Sequence, residues 1–461
     1  MSVMKVPSPG PGAGTGTKRP LGLGLLLATG CGTAVASICA VGLLAIEQLV
    51  GGIWSALAVL CGGALCFALA RSFARLAVVV PSSAGILAYL SRGLGRRRAL
   101  LLALPYFFLS LFLVGAEATV TGILLSRLTA LPWELGSFGF LIATWALCRA
   151  GLQLGLRAQA LATWSLLLGL AALSLLAVVQ AAQAGALSAR IWVAAPSLPH
   201  FVAAVGQALF LFMGFELITC QADLAQTTAL RRALCGSSLI LTAFYAIISL
   251  GLCCLPAAAR PAEGVAIPQL AMAQASGSWL ALLIVVVLSL MASYTSFNGA
   301  LLTLGRLTAA LASQGLLPRS LAKLDGASLL PQRALLALLG FCMAATAAVR
   351  WGGMLLPAIV AAAPAAALAY AAAAWTREKP PFCEPDRSPQ RRMFGRMLAL
   401  LLAALAVAVV IDICVISALP IRGAVLALLG SAYALTLLMV MAAPQRRPHR
   451  KGDRSGPGQK D

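Results

Sequence analysis

The sequence predicts an all-α integral membrane protein with twelve transmembrane helices. Of its 461 residues, 61% are hydrophobic and only 10% are charged, and the mean hydropathy is +0.94. Soluble domains are nearer half apolar and a quarter charged, so this composition excludes an ordinary soluble enzyme and a disordered chain. A helix needs about 20 mostly apolar residues to cross a bilayer, and twelve such helices with short loops use up a chain of this length.

Twelve apolar runs follow one another along the chain and define the predicted spans. Several are rich in glycine and alanine, as packed membrane helices often are. In order, the spans cover residues 21–46, 52–69, 99–125, 138–154, 158–181, 201–222, 234–255, 279–304, 334–349, 354–375, 397–418 and 423–442.

The 34 Lys and Arg residues indicate the orientation of these spans. If the N-terminus is cytoplasmic, 29 of them fall on the cytoplasmic side and five on the opposite side. Positive charge collects in cytoplasmic loops, so we expect both termini in the cytoplasm and the chain in the plasma (inner) membrane. The net charge of +21 then reflects membrane topology, because the basic residues cluster between apolar runs, and it needs no nucleic-acid partner. The five residues on the opposite side are Arg127, Arg190, Arg260, Arg350 and Arg422.

Few acidic residues lie at membrane depth. They are Glu117 in span 3, Glu216 in span 6 and Asp412 in span 11, with Glu47 near the outer end of span 1. A charged group at mid-bilayer costs about 2.5–3.5 kcal/mol, so such a residue usually acts on an ion, a proton or a substrate. Burial disfavours the charged form of a carboxyl, which suits reversible protonation. The alternative is a neutral, hydrogen-bonded structural carboxyl. Glu216 and Glu117 are the candidates for proton coupling.

Span 6 contains a candidate helix break. Gly214 and Phe215 precede Glu216 in mid-span, and a broken helix would offer backbone N–H and C=O groups to a polar ligand. Gly214 and Phe215 are therefore candidate substrate-binding residues, and Phe215 is placed to close over a substrate.

Span 1 has two candidate positions for a break of its own. One is Gly30 to Thr33, which includes Gly32, and the other is Ser37 to Cys39. Gly30, Gly32, Ser37 and Cys39 are the candidate substrate-binding residues here. Spans 1 and 6 would be paired elements if two five-helix halves repeat with inverted topology.

Span 8 carries four polar side chains in an otherwise apolar run. Ser293, Thr295, Ser296 and Asn298 either bind an ion or substrate, or bond to the backbone of their own helix. No metal site is expected, because most of the 12 cysteines lie in apolar runs and the chain has only two histidines.

Three local patterns resemble those of the amino acid–polyamine–organocation (APC) permeases. Residues 81–95, from Pro81 to Gly95, are similar to the family's P-x-x-G-G-x-Y-x-Y…L-G stretch. Residues 214–216, followed by Asp223, resemble its G-F-E…E-E motif. Residues 306–318, from Arg306 to Pro318, are similar to its R-x-x-x-x-x-A-x-D-G-x-L-P segment.

This resemblance implies a fold of five plus five inverted helices with two peripheral helices. It divides the chain into a basic cytoplasmic leader (1–20), a first repeat (21–185), a second repeat (200–376), a cytoplasmic loop (377–396), helices 11 and 12 (397–442) and a basic cytoplasmic tail (443–461). It also implies a secondary transporter of amino acids or amines that works by alternating access as a symporter or antiporter. The coupling ion would be a proton, through Glu216, or sodium.

The sequence departs from the family in span 1. Members usually carry G-S-G or G-x-G there, with backbone amides that hold a substrate carboxylate. Counting back from Pro81 places Ser37 to Cys39 at that point, and only a shifted alignment recovers Gly30 and Gly32.

Two other functions remain open on the sequence. A major-facilitator carrier also has twelve helices, and the basic run from Arg92 to Arg98 faintly resembles the loop after its second helix. A non-transporting membrane sensor is the other alternative. An enzyme is not expected, and neither is a cofactor, because no convergent nucleophile–base or metal set is visible.

Overall fold

A computed structural model describes residues 20–255, 278–325, 330–383, 389–415 and 419–442 of the chain. In this part of the chain the regular structure is helical, apart from one isolated bridge between Leu21 and Ala225. Two short 3-10 helices, Phe215–Gln221 and Arg319–Ala322, interrupt the α-helices. The α-helices are α1 Leu23–Ala34, α2 Cys39–Val50, α3 Gly52–Val79, α4 Ile86–Leu94, α5 Arg96–Thr129, α6 Trp133–Arg149, α7 Leu152–Gln183, α8 Leu187–Ile191, α9 Leu198–Phe210, α10 Thr227–Cys253, α11 Trp279–Ser313, α12 Gln332–Trp351, α13 Leu355–Arg377, α14 Pro389–Val415 and α15 Leu419–Ala442.

The membrane architecture follows from the length and apolarity of these helices. Among the described residues, ten helices are long and apolar enough to cross a bilayer, and the number is eleven when the bent pair of α1 and α2 is counted as one span. The remaining predicted span corresponds to α6, whose 17 residues are at about the lower limit for crossing. The all-α membrane fold is confirmed. The count of twelve, the inverted repeat and the division into segments stay predictions.

Some predictions fall outside the described residues. The basic tail lies there, as does all of the leader but its last residue, and so does the side chain of Asp412.

Several helices extend beyond the apolar runs that predict them. The second span was expected to end near residue 69, but α3 continues to Val79 and includes Arg71 and Arg75. The Arg75 Nε donates a hydrogen bond to the Phe382 carbonyl at 3.2 Å. Helical hydrogen bonding does not require lipid, so a charged residue ends the apolar run without ending the helix.

A short helix, α4, is buried close to the 3-10 helix of the sixth span. Its residues Ile86 to Leu90 are buried, and it follows Gly85, whose φ is +49°. A Cβ at Gly85 would lie 2.8 Å from the Cys220 sulfur. Glycine is needed there, because it accepts the positive φ and lets α4 approach the 3-10 helix Phe215–Gln221 closely.

One face of α7 is directed outward and the other inward. Leu161 and Leu168, seven residues apart on one face, are 74% and 71% exposed, as expected for lipid contact. On the inward side, Gln159 and Thr163 are fully buried. This orientation brings the polar side chains of α7 toward α1 and α11.

Candidate functional site

The first span is broken at Val35–Ile38. α1 ends at Ala34, α2 begins at Cys39, and the two helices are bent by 61°. The later of the two predicted break positions is therefore the observed one.

Glu117 on α5 lies directly at this break. Its Oε1 accepts a hydrogen bond from the Ser37 N–H at 2.7 Å, and its Oε2 accepts one from the Ile38 N–H at 3.0 Å. The first N–H groups of a helix have no partner inside the helix, and a carboxyl at that end also interacts favourably with the helix dipole. Glu117, at 1% exposure, thus caps α2 from another span.

A serine on α11 completes this cluster. The Ser293 hydroxyl donates to Glu117 Oε1 at 2.6 Å, and the Ser37 hydroxyl donates to the Ser289 carbonyl at 2.8 Å. The cluster therefore ties the break in the first span to both α5 and α11.

The sixth span is broken where the sequence predicts it. α9 ends at Phe210, a turn follows, and Gly214 adopts φ +107° before the 3-10 helix Phe215–Gln221 begins. A Cβ at Gly214 would lie 2.9 Å from the Thr33 carbonyl oxygen in the last turn of α1. The two breaks therefore meet, and glycine permits both the backbone angle and the contact.

Glu216 lies just after this break and is 1% exposed. Its carboxyl accepts hydrogen bonds from the Gly214 N–H at 3.1 Å, from the Tyr370 hydroxyl at 2.7 Å, and from the Tyr106 hydroxyl. The two tyrosine rings pack edge to face with centroids 5.8 Å apart. Glu216 thus joins the broken span to α5 and α13.

A cavity lies between the two breaks. Its volume is about 60 Å³, several times the roughly 10–15 Å³ that one water molecule needs. Most of its wall is apolar. Its lining comes from α1 and α2, from the break in the sixth span, and from α5 and α11: Thr33, Ala34, Ala36, Ile38, Cys39, Tyr106, Ser110, Leu113, Val114, Phe210, Met213, Gly214, Leu217, Ser296, Ala300 and Leu304.

A second, smaller cavity adjoins the first. It is lined by Glu216 and shares Tyr106, Ser110, Leu217 and Leu304 with its neighbour. Tyr106 therefore lines the larger cavity and also donates a hydrogen bond from its hydroxyl to the Glu216 carboxyl.

The expectation of a break at Gly30 and Gly32 is wrong. α1 runs through both residues to Ala34, and neither lines the cavity. A Cβ at Gly30 would lie 2.6 Å from the Ser237 hydroxyl, and one at Gly32 would lie 2.2 Å from the Thr163 hydroxyl. Both glycines let α1 pack closely against neighbouring helices, which is the usual work of small residues in membrane bundles.

The expectation that Phe215 closes over a substrate is not supported by its position. Phe215 is fully buried and packs edge to face on Phe73 of α3 at 6.2 Å, and it does not line the cavity. Phe210 and Tyr106 are the aromatic residues in the wall. At the other break, Cys39 lines the cavity and Ser37 does not.

The four polar residues of span 8 have separate surroundings. Ser296 lines the cavity, Ser293 bonds to Glu117, and the Thr295 hydroxyl donates to the Ala292 carbonyl of its own helix at 3.0 Å. The Asn298 amide donates to the Gly155 carbonyl at 3.1 Å and to Gln159 Oε1 at 2.9 Å.

An ion pair lies at the C-terminal end of the broken sixth span. The Arg306 guanidinium of α11 donates to the Cys220 carbonyl at 3.1 Å and to Asp223 Oδ1 at 2.6 Å. Arg306 is 7% exposed, whereas Asp223 is 42% exposed.

Sequence reasoning missed Tyr106, Tyr370 and Gln159 as members of this polar network. The chain has only six tyrosines, so a tyrosine within an apolar span was a usable signal. Among the described residues, no group of three or more His, Cys, Asp or Glu is arranged to hold a metal ion.

Comparisons with known proteins agree with this architecture. The family model for amino acid permeases matches residues 23–443. No curated protein sequence matches the chain. A Na⁺-coupled sialic acid symporter, solved in a substrate-bound outward-open state, is 11% identical with a TM-score of 0.54, covering 84% of this chain and 88% of that one.

A manganese transporter from Eremococcus coleocola, solved with an aromatic bis-isothiourea compound, is 14% identical with a TM-score of 0.57. The match covers 91% of this chain and 94% of that one. At these identities the two structures share the fold with this chain. The family match favours the APC prediction over the major-facilitator alternative. The chain belongs to the amino acid permease family, and it is an integral membrane transporter rather than an enzyme.

Proposed function

We propose that the protein is a proton-coupled secondary transporter of an amino acid or amine that works by alternating access. The observation that carries this proposal is the cavity between the breaks of the first and sixth spans, with Glu216 connected to it through Tyr106. A transporter needs a polar site that solvent can reach from either side in turn, and unwound backbone deep in a bundle supplies one.

The proton step takes place at the Glu216 carboxyl. As a carboxylate, Glu216 accepts hydrogen bonds from Tyr106, Tyr370 and the Gly214 N–H. When one oxygen takes a proton it becomes a donor, so a tyrosine hydroxyl that donates to it has to reorient. Because one of the three partners belongs to the break itself, this change is transmitted to the hinge of the sixth span.

The moving parts follow from the breaks. In this proposal α1, α2, α3, α9 and α10 rock as one group against α5, α6, α11 and α12. Proton binding shifts the balance between inward-facing and outward-facing states by the difference in affinity of the two states for the proton.

A proton is favoured over sodium as the coupling ion. Three of the four polar side chains of span 8 are already engaged with protein groups, through Glu117, Ala292 and Gln159. Of these four side chains only Ser296 lines the cavity, so span 8 would contribute a single hydroxyl to a cation bound there.

Uptake into proteoliposomes tests this function. The purified protein is supplied with labelled amino acids or amines, with and without an inward proton gradient, and with Na⁺ replaced by K⁺. We expect the gradient to increase uptake and the Na⁺ replacement to have no effect. Glu216→Gln should abolish the response to the gradient, because the amide does not exchange a proton in this pH range.

Glu134→Gln, at the start of α6 and outside the site, is the matched control and should behave as the unmodified protein. A gradient response that survives in Glu216→Gln would exclude the proton role. Binding without uptake under every gradient would favour a membrane sensor instead.

A further inference from the structure

The chain's own acids occupy the backbone donors at both helix breaks. At the first break, Glu117 accepts hydrogen bonds from the Ser37 and Ile38 N–H groups. At the second, Glu216 accepts one from the Gly214 N–H. These are the groups that a carboxylate-bearing solute would need, because N–H groups at a helix start are the natural backbone site for an anion.

The neighbouring backbone donors are also used within the protein. The Cys39 N–H donates to the Ala36 carbonyl at 3.0 Å, and the Ala40 N–H donates to the Ser37 carbonyl at 3.2 Å. At the sixth span, the Met213 N–H donates to the Phe210 carbonyl at 3.1 Å. Together with Ser37, Ile38 and Gly214, six backbone N–H groups at the two breaks are therefore engaged, and a solute anion would have to displace an existing hydrogen bond to use any of them.

The cavity wall offers no cationic side chain in place of these occupied backbone donors. The residues that line the cavity include no Lys, Arg or His. A carboxylate placed there would lose its water and gain no charged partner, which is costly in an apolar enclosure.

The cavity wall instead presents groups that favour a positive charge. Thr33 and Ala34 belong to the last turn of α1, and Phe210 is the last residue of α9. The C-terminal end of a helix carries partial negative charge from its carbonyl groups. The rings of Phe210 and Tyr106 add faces that attract a cation.

The two buried acids stand behind this wall. Val114, in the wall, lies one helical turn before Glu117 on α5, and Tyr106, also in the wall, donates to Glu216. Two helix C-termini, two aromatic rings and two acids thus surround a cavity beside which six backbone N–H groups are already occupied.

We infer that the transported solute is a small organic amine that has no free carboxylate. The inference rests on the proposed transport function and narrows it: Glu117 and Glu216 take the places that the carboxylate of an α-amino acid would occupy. The ammonium group of the solute binds between the C-terminal ends of α1 and α9.

Matched pairs of labelled compounds test this inference in proteoliposomes of the unmodified protein. Each pair joins an amino acid with the amine that remains when its carboxylate is removed: valine with isobutylamine, phenylalanine with phenethylamine, and lysine with cadaverine. We expect at least one amine to be taken up about 10-fold or more faster than its amino acid, because one lost or gained charge-assisted contact is worth about that factor.

The outcomes separate the two proposals. Faster uptake of the amino acid in every transported pair would overturn the inference and leave the transport function standing. If neither member of any pair is taken up, and preloaded unlabelled compound does not exchange for labelled compound, both the transport function and the amine inference are overturned.

A variant of Glu117 provides a second, independent test of the amine inference. Glu117→Gln replaces one acceptor oxygen by an NH₂ group that faces the same backbone donors, and it removes the acid behind the cavity. The ratio of amine to amino acid uptake should fall about 10-fold or more. Glu47→Gln, a buried acid at the far end of α2 that accepts from the Gly52 N–H at 3.2 Å, should leave the ratio unchanged.

If the ratio stays the same in Glu117→Gln, the carboxyl at the first break does not select the solute, and the inference fails. Thermal shift of the purified variants with isobutylamine and with valine gives the same comparison for binding alone, so a variant with slow turnover still gives a result.

Discussion

Glu117 and Glu216 each bring a carboxyl to a point where a membrane helix stops. Both are 1% exposed, and each accepts three hydrogen bonds from the protein. They differ in their partners, because Glu117 is held mainly by backbone N–H groups and Glu216 mainly by tyrosine hydroxyls. A hydroxyl rotates and a backbone N–H does not, so Glu216 is the one whose surroundings adjust to a change of protonation.

Removing one hydroxyl at Glu216 tests this difference. Tyr370→Phe deletes the donor at 2.7 Å and keeps the ring that packs on Phe73 and Tyr106. A hydrogen bond to a charged group is worth about 1.5–3 kcal/mol, so we expect proton-driven uptake to fall about 10-fold or more. The measurement is initial uptake rate as a function of external pH.

Tyr294→Phe is the control for that variant. The Tyr294 hydroxyl is buried without a hydrogen-bond partner, so its loss should leave the rate unchanged. Equal rates for Tyr370→Phe and the unmodified protein would show that Glu216 does not depend on this hydroxyl.

The sequence identified the acids at this scale but not their partners. Glu117 and Glu216 stand out because a carboxyl in an apolar run is costly and therefore rare. Tyr106 and Tyr370 are 110 and 154 residues away from Glu216 along the chain, and nothing local in the sequence signals that they meet it.

At the scale of elements, the breaks in the first and sixth spans differ in what produces them. The sixth span breaks at Gly214, whose φ of +107° is open to glycine and strained for other residues. The first span contains Gly30 and Gly32 but breaks after them, at residues without glycine, where Glu117 supplies the capping group. The sequence therefore predicted the glycine break correctly but left two positions open for the break in the first span, because a break that depends on a partner from another span has no local glycine signal.

Gly214→Ala tests the break in the sixth span. The substitution forces a side chain into a left-handed backbone conformation, at a cost of about 1–2 kcal/mol. It also directs the new methyl group at the Thr33 carbonyl oxygen. We expect a lower Tm in detergent and loss of uptake. Gly340→Ala, in α12 with open space around the new Cβ, should change neither. An unchanged Tm with full uptake in Gly214→Ala would contradict the need for glycine.

Helix ends were harder to predict than helix positions. The apolar run of the second span ends before Arg71, but α3 continues for ten residues past the predicted end at 69, to Val79. Likewise the short helix α4, which lies close to the 3-10 helix Phe215–Gln221, was not predicted as a helix. Hydropathy marks the part of a helix that lies within the lipid. The ends of the helix are set by capping and packing outside the lipid.

For the molecule as a whole, the number of spans and the orientation are linked. An even number places both termini on the same side of the membrane, and an odd number places them on opposite sides. The distribution of Lys and Arg predicts that both are cytoplasmic, which requires α6 to cross as a full span despite its 17 residues.

Fusions to green fluorescent protein test this topology. The protein fluoresces only when it folds in the cytoplasm, so fusions to Met1 and to Asp461 should both fluoresce. A fusion placed in the loop at Leu131, between α5 and α6, should not. A dark C-terminal fusion with a bright N-terminal one would give an odd number of spans and remove α6 from the count.

The contact between Arg306 and Asp223 links the end of the broken sixth span to α11. If that end moves relative to α11, two unlike charges separate and a guanidinium that is now 7% exposed has to be hydrated. Asp223 is already 42% exposed, so the cost of separating the pair falls mainly on the arginine, whose charge would lose its partner while it is still largely buried. The contact therefore opposes any displacement of this end of the sixth span that does not also bring solvent to Arg306.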